Sequence, residues 1–228
     1  MKNKVTSIDN SVKIENVLIS VSDKSGLDSF IPELVKINPD VRIFSTGGTF
    51  TKIEEILGKE SENLISVSEY TGQPEMQGGL VKTLDFKIYL GLLSETYNQA
   101  HVKDLERTGG AAIDMVIVNL YPFKETVASE GCTLESARAN IDIGGPCMVR
   151  ASAKNFLRVA SVCDPSDYSS IIEELKVSGG KISFHKRWDL AKKAFKHTAD
   201  YDTAISNYLP GINDKDAALN YNFMDEDK

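Results

Sequence analysis

Short β-rich runs alternate with helix-like segments along this chain, and that alternation constrains the fold more than any other feature. The runs with strand character are residues 17–21, 41–45, 64–67, 113–119 and 159–163. The segments with helical spacing of apolar residues are 26–36, 50–57, 92–107, 134–140, 148–155, 165–176 and 188–208. Such alternation predicts an α/β domain with a mostly parallel sheet flanked by helices on both faces.

Length and charge narrow the class of protein. The chain has 228 residues, 41% of them hydrophobic, which suits one sizeable folded domain. Acidic residues outnumber basic ones, 33 to 26, so the net charge is -7 and a general nucleic-acid binder is not expected. We predict a polar N-terminal extension over residues 1–15, a domain over residues 16–209 and a polar C-terminal tail over residues 210–228.

Targeting and metal-binding signals are weak. Residues 1–16 are polar where a secretory signal needs an apolar core, and the run 111–118 is interrupted by Asp114, so no membrane span is expected. The sparse cysteines Cys132, Cys147 and Cys163 have neither metal-ligand spacing nor the density of a disulfide scaffold. We therefore expect a cytoplasmic protein without a structural metal.

Two polar loops follow the first two predicted strands. In a parallel sheet, ligands bind beyond the carboxyl ends of the strands, and helix N-termini attract anions. The sequence therefore predicts that these loops hold one phosphate, with the residues Ser22, Lys24, Thr46, Gly47, Gly48 and Thr49. Ordinary turn and capping roles are the alternative, because neither loop has a Walker or a dinucleotide-binding pattern.

A few other residues are candidates for chemistry. Lys82 and Lys154 stand among small residues, where a lysine can approach a ligand, and Asp142 stands between two isoleucines ahead of two glycines. Asn119 and Tyr121 follow the strongest strand. Each has a structural alternative: a solvated lysine, a capping aspartate or a packed tyrosine.

Several motifs together resemble one family. They are VSDKSGL (21–27), STGGT (45–49), PEM (74–76), VKTL (81–84), NLYPF (119–123) and IDIGG (141–145), continued by residues 150–155 and 194–202. In order and spacing they are similar to the IMP cyclohydrolase domain of the bifunctional purine-biosynthesis enzyme. The resemblance covers about residues 16–209.

This resemblance implies a three-layer fold like that of methylglyoxal synthase, and closure of 5-formamidoimidazole-4-carboxamide ribotide to IMP with loss of water. It implies no metal and no cofactor. By matching positions, the two polar loops bind the 5′-phosphate, and the base and its formyl group are surrounded by Lys82, Thr83, Asn119, Tyr121, Asp142, Ile143, Gly144, Gly145 and Lys154. The implied catalytic residues are Lys82, Tyr121, Asp142 and Lys154.

The central loop departs from the family pattern Gly-Arg-Val-Lys-Thr-Leu-His-Pro. Leu80, Asp85 and Phe86 replace the arginine, histidine and proline, and Tyr89 stands where a later histidine is usual. The sequence ends at Lys228, where bifunctional relatives continue into a formyltransferase domain. We therefore expect either a shortened form of a longer protein or a stand-alone cyclohydrolase, whose formylated substrate comes from a separate formyltransferase; a homodimer is expected by resemblance alone.

Two other functions remain open at this point. The altered segment 80–89 favours a non-catalytic purine-nucleotide-binding or regulatory module of the same fold. A methylglyoxal synthase would share the fold and the phosphate site, but the sequence offers no matching arrangement of histidine and aspartate. Binding of IMP without turnover would indicate the first alternative, and turnover of a triose phosphate the second.

Overall fold

A parallel five-stranded sheet organises the protein. The structure, a computed structural model, describes residues 4–74 and 81–224. The strands are β1 (Ser11–Lys13), β2 (Asn16–Val21), β3 (Arg42–Ser45), β4 (Leu64–Ser66), β5 (Met115–Asn119), β6 (Ala160–Val162) and β7 (Lys181–Ser183). Strands β4-β3-β2-β5-β6 form the parallel sheet in that order.

Helices cover both faces of this sheet. They are α1 (Leu27–Ile37), α2 (Gly47–Leu57), α3 (Val67–Thr71), α4 (Phe86–Leu93), α5 (Gln99–Thr108), α6 (Phe123–Ala128), α7 (Leu134–Ala139), α8 (Gly144–Lys154), α9 (Tyr168–Ser178), α10 (Phe184–Tyr208) and α11 (Asp214–Ala218). Short 3-10 turns occupy Pro165–Asp167 and Leu209–Gly211. The predicted α/β class with a mostly parallel, helix-flanked sheet is confirmed.

The alternation of side chains along β5 divides the core into two layers. Met115 and Ile117 pack with residues of α1, α2 and α9, whereas Val116 and Val118 pack with residues of α4, α8 and α10. Successive side chains of a strand point to opposite faces, so a strand that is apolar throughout must be covered on both sides. The domain therefore has three layers.

Three predicted helices have different limits in the structure. Helix α2 starts at Gly47 and α8 at Gly144, so glycines expected in loops form the first helical turns. The predicted helix over 92–107 is instead two helices, because the Asn98 side chain caps the start of α5 by accepting from the N–H groups of Ala100 and His101. Strong N-caps start a new helix even within a continuous apolar pattern.

A second, two-stranded sheet lies outside the predicted pattern. Strand β1 pairs antiparallel with β7, with Ser11 opposite Ser183, and Ile14 beside it is buried. Helix α11 likewise lies within the predicted polar tail. The division of the chain at residues 15 and 209 stays a prediction.

None of the helices in the described ranges has the length and apolar character needed to cross a membrane.

Candidate functional site

A cavity opens at the carboxyl edge of the parallel sheet. Strands β3 and β4 lie on one side of β2 and strands β5 and β6 on the other, so the strand order reverses between β2 and β5. Ligands of open α/β sheets bind at such a switch point. The cavity has a volume of about 570 Å³, the size of a small-molecule site.

The cavity brings together the predicted site residues, with one exception. Its lining includes Ser22, Lys24, Thr46, Gly47, Gly48, Thr49, Lys82, Thr83, Asn119, Tyr121, Asp142, Ile143, Gly144 and Gly145. These residues come from five separate stretches of the chain. Parallel strands gather them because the carboxyl ends of β2, β3 and β5 meet at one edge.

Lys154 does not reach this cavity. It is exposed at the last position of α8, whose first residue, Gly144, lies at the cavity. At 1.5 Å per residue, the helix separates the two residues by about 15 Å. The expectation that Lys154 acts at the same site as Asp142 therefore lacks support from the geometry.

The N-terminus of α2 and Lys24 form the side of the cavity that suits an anion. Thr46 is the N-cap residue, and its side chain accepts no capping bond from the helix. A Cβ atom placed on Gly48 would lie 3.9 Å from Lys24 Nζ, so the ammonium group lies close to the first helical turn. Helix N-termini and lysine both favour a phosphate.

Lys82 and Thr83 lie between the N-termini of α2 and α8. A Cβ atom on Gly47 would lie 2.9 Å from Lys82 Nζ, and one on Gly144 would lie 2.8 Å from Thr83 Oγ1. Gly47 also has a positive φ of 53°, which side chains other than that of glycine rarely adopt. Glycine at these positions lets the two side chains approach both helix ends.

Asp142 supplies a half-buried carboxylate to the same cavity. Gly145 N donates a 2.9 Å hydrogen bond to Asp142 Oδ1, and the N–H of Tyr121 also donates to the carboxylate. Burial raises the pKa of Asp142 above its ordinary value, and these two backbone hydrogen bonds oppose the rise. A carboxylate with a raised pKa is a better proton acceptor.

Two of the predicted binding residues use their side chains to hold the site together. Asn119 Oδ1 accepts from Ser22 N at 2.7 Å and Asp23 N at 2.9 Å, and its Nδ2 donates to Asp23 O at 2.8 Å. Thr49 Oγ1 is buried, accepts from Val21 N and donates to Val21 O, both at 3.0 Å. Their side chains fix the loop and the strand end that carry Ser22.

The structure accounts for part of the altered central loop. Asp85 caps α4 by accepting from Lys87 N at 2.7 Å, and the Phe86 side chain is 64% exposed. Tyr89 lies within α4, where burial raises the pKa of its hydroxyl. Leu80, Glu75 and Met76 lie outside the described residues.

Sequence reasoning did not assign some residues that shape the cavity. Leu84, Asn140, Ile141 and Met148 line it, and Tyr201 from α10 donates to Asn140 O. The sequence places Tyr201 within a motif but does not indicate that its hydroxyl contacts Asp142, which lies 59 residues earlier in the chain.

Among the described residues, no three His, Cys, Asp or Glu side chains are grouped to hold a metal ion.

Comparison with models of protein families identifies the family to which the chain belongs. The model of the MGS-like domain matches residues 26–147, more than half of the sequence. The chain belongs to the MGS-like domain family. The model described as AICARFT/IMPCHase bienzyme matches residues 152–227 of this MGS-like protein. The resemblance to IMP cyclohydrolase domains seen in the motifs is confirmed.

Curated relatives of this MGS-like chain are named bifunctional purine biosynthesis protein PurH. The one from Neisseria gonorrhoeae (strain NCCP11945) is 48% identical over 201 residues, which cover 88% of this chain and 37% of the relative. The one from Magnetococcus marinus is 46% identical over 203 residues, 89% of this chain and 37% of the relative. The chain thus spans little more than a third of their length.

Among solved structures, the crystal structure of ForH is similar to this MGS-like chain. The TM-score is 0.72 at 27% sequence identity, and the match covers 85% of this chain and 97% of that one.

Proposed function

We propose that this chain closes the ring of 5-formamidoimidazole-4-carboxamide ribotide to give IMP and water. The observation that supports the proposal is the cavity, whose lining includes the N-terminus of α2, two lysines and the Asp142 carboxylate. The match to the AICARFT/IMPCHase bienzyme model and the likeness to PurH proteins support it.

In the proposed complex the 5′-phosphate lies at the start of α2. Lys24 supplies a positive charge there, and the backbone N–H groups of the first helical turn supply donors. Asn119 keeps Ser22 and Asp23 in place beside this turn. The phosphate is then held locally, although the chain as a whole is acidic.

Ring closure itself requires a base and an oxyanion site. The carboxamide nitrogen attacks the formyl carbon and gives a proton to Asp142, whose raised pKa suits it as a general base. The formyl oxygen gains charge, which Lys82 and the N–H groups near Ile143 and Gly144 stabilise, and then leaves as water. That oxygen takes one proton from Tyr121, half exposed at the rim, and a second from the protonated Asp142 before it leaves. As the water departs, the formamide nitrogen forms the C=N bond and returns its proton to the Tyr121 oxygen.

Holding the two reacting groups of one molecule together accounts for much of the expected acceleration. Both groups belong to the same substrate, so the site needs to select a conformer in which they are in near-attack geometry. Lys82 and Thr83 suit such a role because of their positions. Lys82 lies close to the N-terminus of α2, where the phosphate is proposed to bind, and Thr83 lies close to the N-terminus of α8, which follows Asp142.

The test is the rate of IMP formation from the formylated ribotide by the purified chain, compared with the uncatalysed rate. Lys82→Ala should lose most of the turnover. Lys36→Ala, a change at an exposed lysine in the last turn of α1, is the matched control and should retain it. A wild-type rate equal to the uncatalysed rate would contradict the proposal.

A purine-nucleotide-binding module without turnover is the second candidate. It is favoured by the central loop, where Asp85 is engaged as a helix cap and Phe86 is exposed to solvent. Calorimetry with IMP distinguishes the two: binding without any turnover of the formylated ribotide would support the module.

We further propose the cellular setting that follows from this activity. The substrate is a small purine-precursor nucleotide, and a formyltransferase supplies it. The protein works in the cytoplasm without a cofactor and needs no nucleic acid or membrane; a homodimer is proposed from family resemblance alone.

A further inference from the structure

Tyr201 lies outside the cavity but contacts the segment that carries Asp142. The side chain projects from α10 and is 8% exposed. Its hydroxyl accepts a 2.7 Å hydrogen bond from Asp142 N and donates one of 3.2 Å to Asn140 O. A single hydroxyl group therefore fixes the main chain on both sides of residue 141.

The ring of Tyr201 is itself held in place by the core. It packs edge-to-face on Phe123, with the ring centroids 6.2 Å apart, and Phe123 is almost completely buried. Phe123 begins α6, two residues after Tyr121. Tyr201 thus links the 121–123 segment to the 140–142 segment.

These two segments meet at the Asp142 carboxylate. One partner of the carboxylate is the N–H of Tyr121 and the other is Gly145 N. A Cβ atom on Gly145 would contact Asp142 Oδ2 and would lie 2.7 Å from Leu120 Cδ2, so the carboxylate is closely surrounded. Its direction depends on the main chain at residue 142, which Tyr201 holds.

We propose that Tyr201 is a positioning residue for the proposed ring closure, because its hydroxyl fixes the backbone of Asp142 and so aims the carboxylate at the cavity. The inference rests on the proposed function, yet it concerns a residue that does not line the site. Without the hydroxyl, Asp142 N loses its acceptor and the 140–142 segment is free to shift. A displacement of about 1 Å at a reacting group can cost about a hundredfold in rate.

The test is Tyr201→Phe, which keeps the ring packed on Phe123 and removes only the hydroxyl. Tyr208→Phe is the matched control: Tyr208 lies on the same helix and packs on Phe123 at 5.8 Å, while its hydroxyl contacts Cys132. We expect Tyr201→Phe to lower kcat about tenfold to a hundredfold with little change in KM. The control should keep wild-type kcat.

Amide hydrogen exchange provides a second measurement that needs no substrate. In Tyr201→Phe the amides of Asp142 and Gly145 should exchange faster than in wild type, because both hydrogen bonds depend on the position of residue 142. In Tyr208→Phe they should not. Unchanged protection of both amides in a folded Tyr201→Phe protein would overturn the inference.

The two measurements separate the inference from the proposed function. If the wild-type chain does not form IMP, the proposed function fails, and amide exchange alone decides whether Tyr201 positions Asp142. If the wild-type chain does form IMP, an unchanged kcat in Tyr201→Phe would also overturn the inference.

Discussion

Two carboxylates, one buried and one half-buried, stand at opposite edges of the parallel sheet, and their surroundings differ. Asp114, just before β5 at the amino edge, is 7% exposed. It accepts from Glu15 N and Asn16 N and forms a 3.1 Å ion pair with Arg158. Burial raises its pKa to about 6 against the opposing effect of Arg158 and these hydrogen bonds.

Asp142 at the carboxyl edge has hydrogen bonds from backbone N–H groups instead of an ion pair. In the part of the chain that the structure describes, no lysine or arginine lies within ion-pair distance of it. Loss of contact with water raises the pKa of both carboxylates, although Asp142 is only half-buried. The difference indicates that Asp114 is neutralised within the fold, whereas Asp142 keeps its charge available to a ligand.

Replacing Asp142 should have the largest effect. Asp142→Asn keeps the size of the side chain and removes the base, so we expect kcat for IMP formation to fall about 10²- to 10⁴-fold. Asp189→Asn, at an exposed position on α10, is the control. A wild-type rate of IMP formation in Asp142→Asn would contradict the difference drawn between Asp114 and Asp142, since both carboxylates would then have structural roles.

Replacing Arg158 should cost stability instead. Arg158→Met leaves the Asp114 carboxylate buried without its partner, and we expect the free energy of unfolding to fall by about 3–5 kcal/mol near neutral pH. Arg150→Met, on the exposed face of α8, is the matched control in chemical denaturation. An equal, small loss in both variants would mean that the ion pair contributes nothing.

The loss of unfolding free energy in Arg158→Met should depend on pH, in a direction set by the pKa of Asp114. The pKa of Asp114 is higher in the folded protein, about 6, than its ordinary value of 3.8, so the folded state binds the proton more tightly. The contribution of Asp114 to stability is therefore present at low pH and is lost as pH rises through these values. Accordingly, the loss caused by Arg158→Met should shrink when denaturation is repeated at pH values below the pKa of Asp114.

Replacing Asn119 tests whether its side chain is needed to order the loop at residues 22–23, at the carboxyl edge of the sheet. Asn119→Ala removes the hydrogen bonds to Ser22 N, Asp23 N and Asp23 O. We expect the dissociation constant of IMP to rise about tenfold, equivalent to about 1.4 kcal/mol, because the loop must then be ordered by the ligand. Calorimetry measures this dissociation constant, and an unchanged value would show that the loop needs no support from the Asn119 side chain.

Lys154 should have the smallest effect. It is exposed at the far end of α8, and charges separated by more than about 8 Å are largely screened in physiological salt. Lys154→Ala should therefore keep nearly the wild-type rate of IMP formation. A loss as large as that of Lys82→Ala would mean that Lys154 reaches a cavity in another copy of the chain.

Local sequence pattern was enough to predict the parallel sheet and the two polar loops of the cavity, whereas the family resemblance assigned Lys82, Thr83 and residues 142–145 to the same site. Strand β5 is apolar throughout, and such a run has few alternatives to a central strand covered on both faces. The polar loops after β2 and β3 meet in space for the same reason, because parallel neighbours end at one edge.

The features that could not be predicted from the sequence depend on contacts between distant parts of the chain. Nothing in residues 11–13 indicates that they pair with residues 181–183, since the partner strand is equally short. The lysine-containing motif 150–155 carries no signal for which end of α8 faces the cavity. The engagement of the Asn119 amide with the 22–23 loop depends on a side-chain rotamer that sequence does not specify.

The pairing of β1 with β7 has a consequence for the order in which the chain assembles during synthesis. Strand β1 is made before the parallel sheet, but its partner emerges from the ribosome only after all five strands of that sheet. The Arg187 side chain, which donates to Asp9 O, is made later still. Residues 11–13 are therefore made before the parallel sheet but reach their native pairing only after its strands have been made.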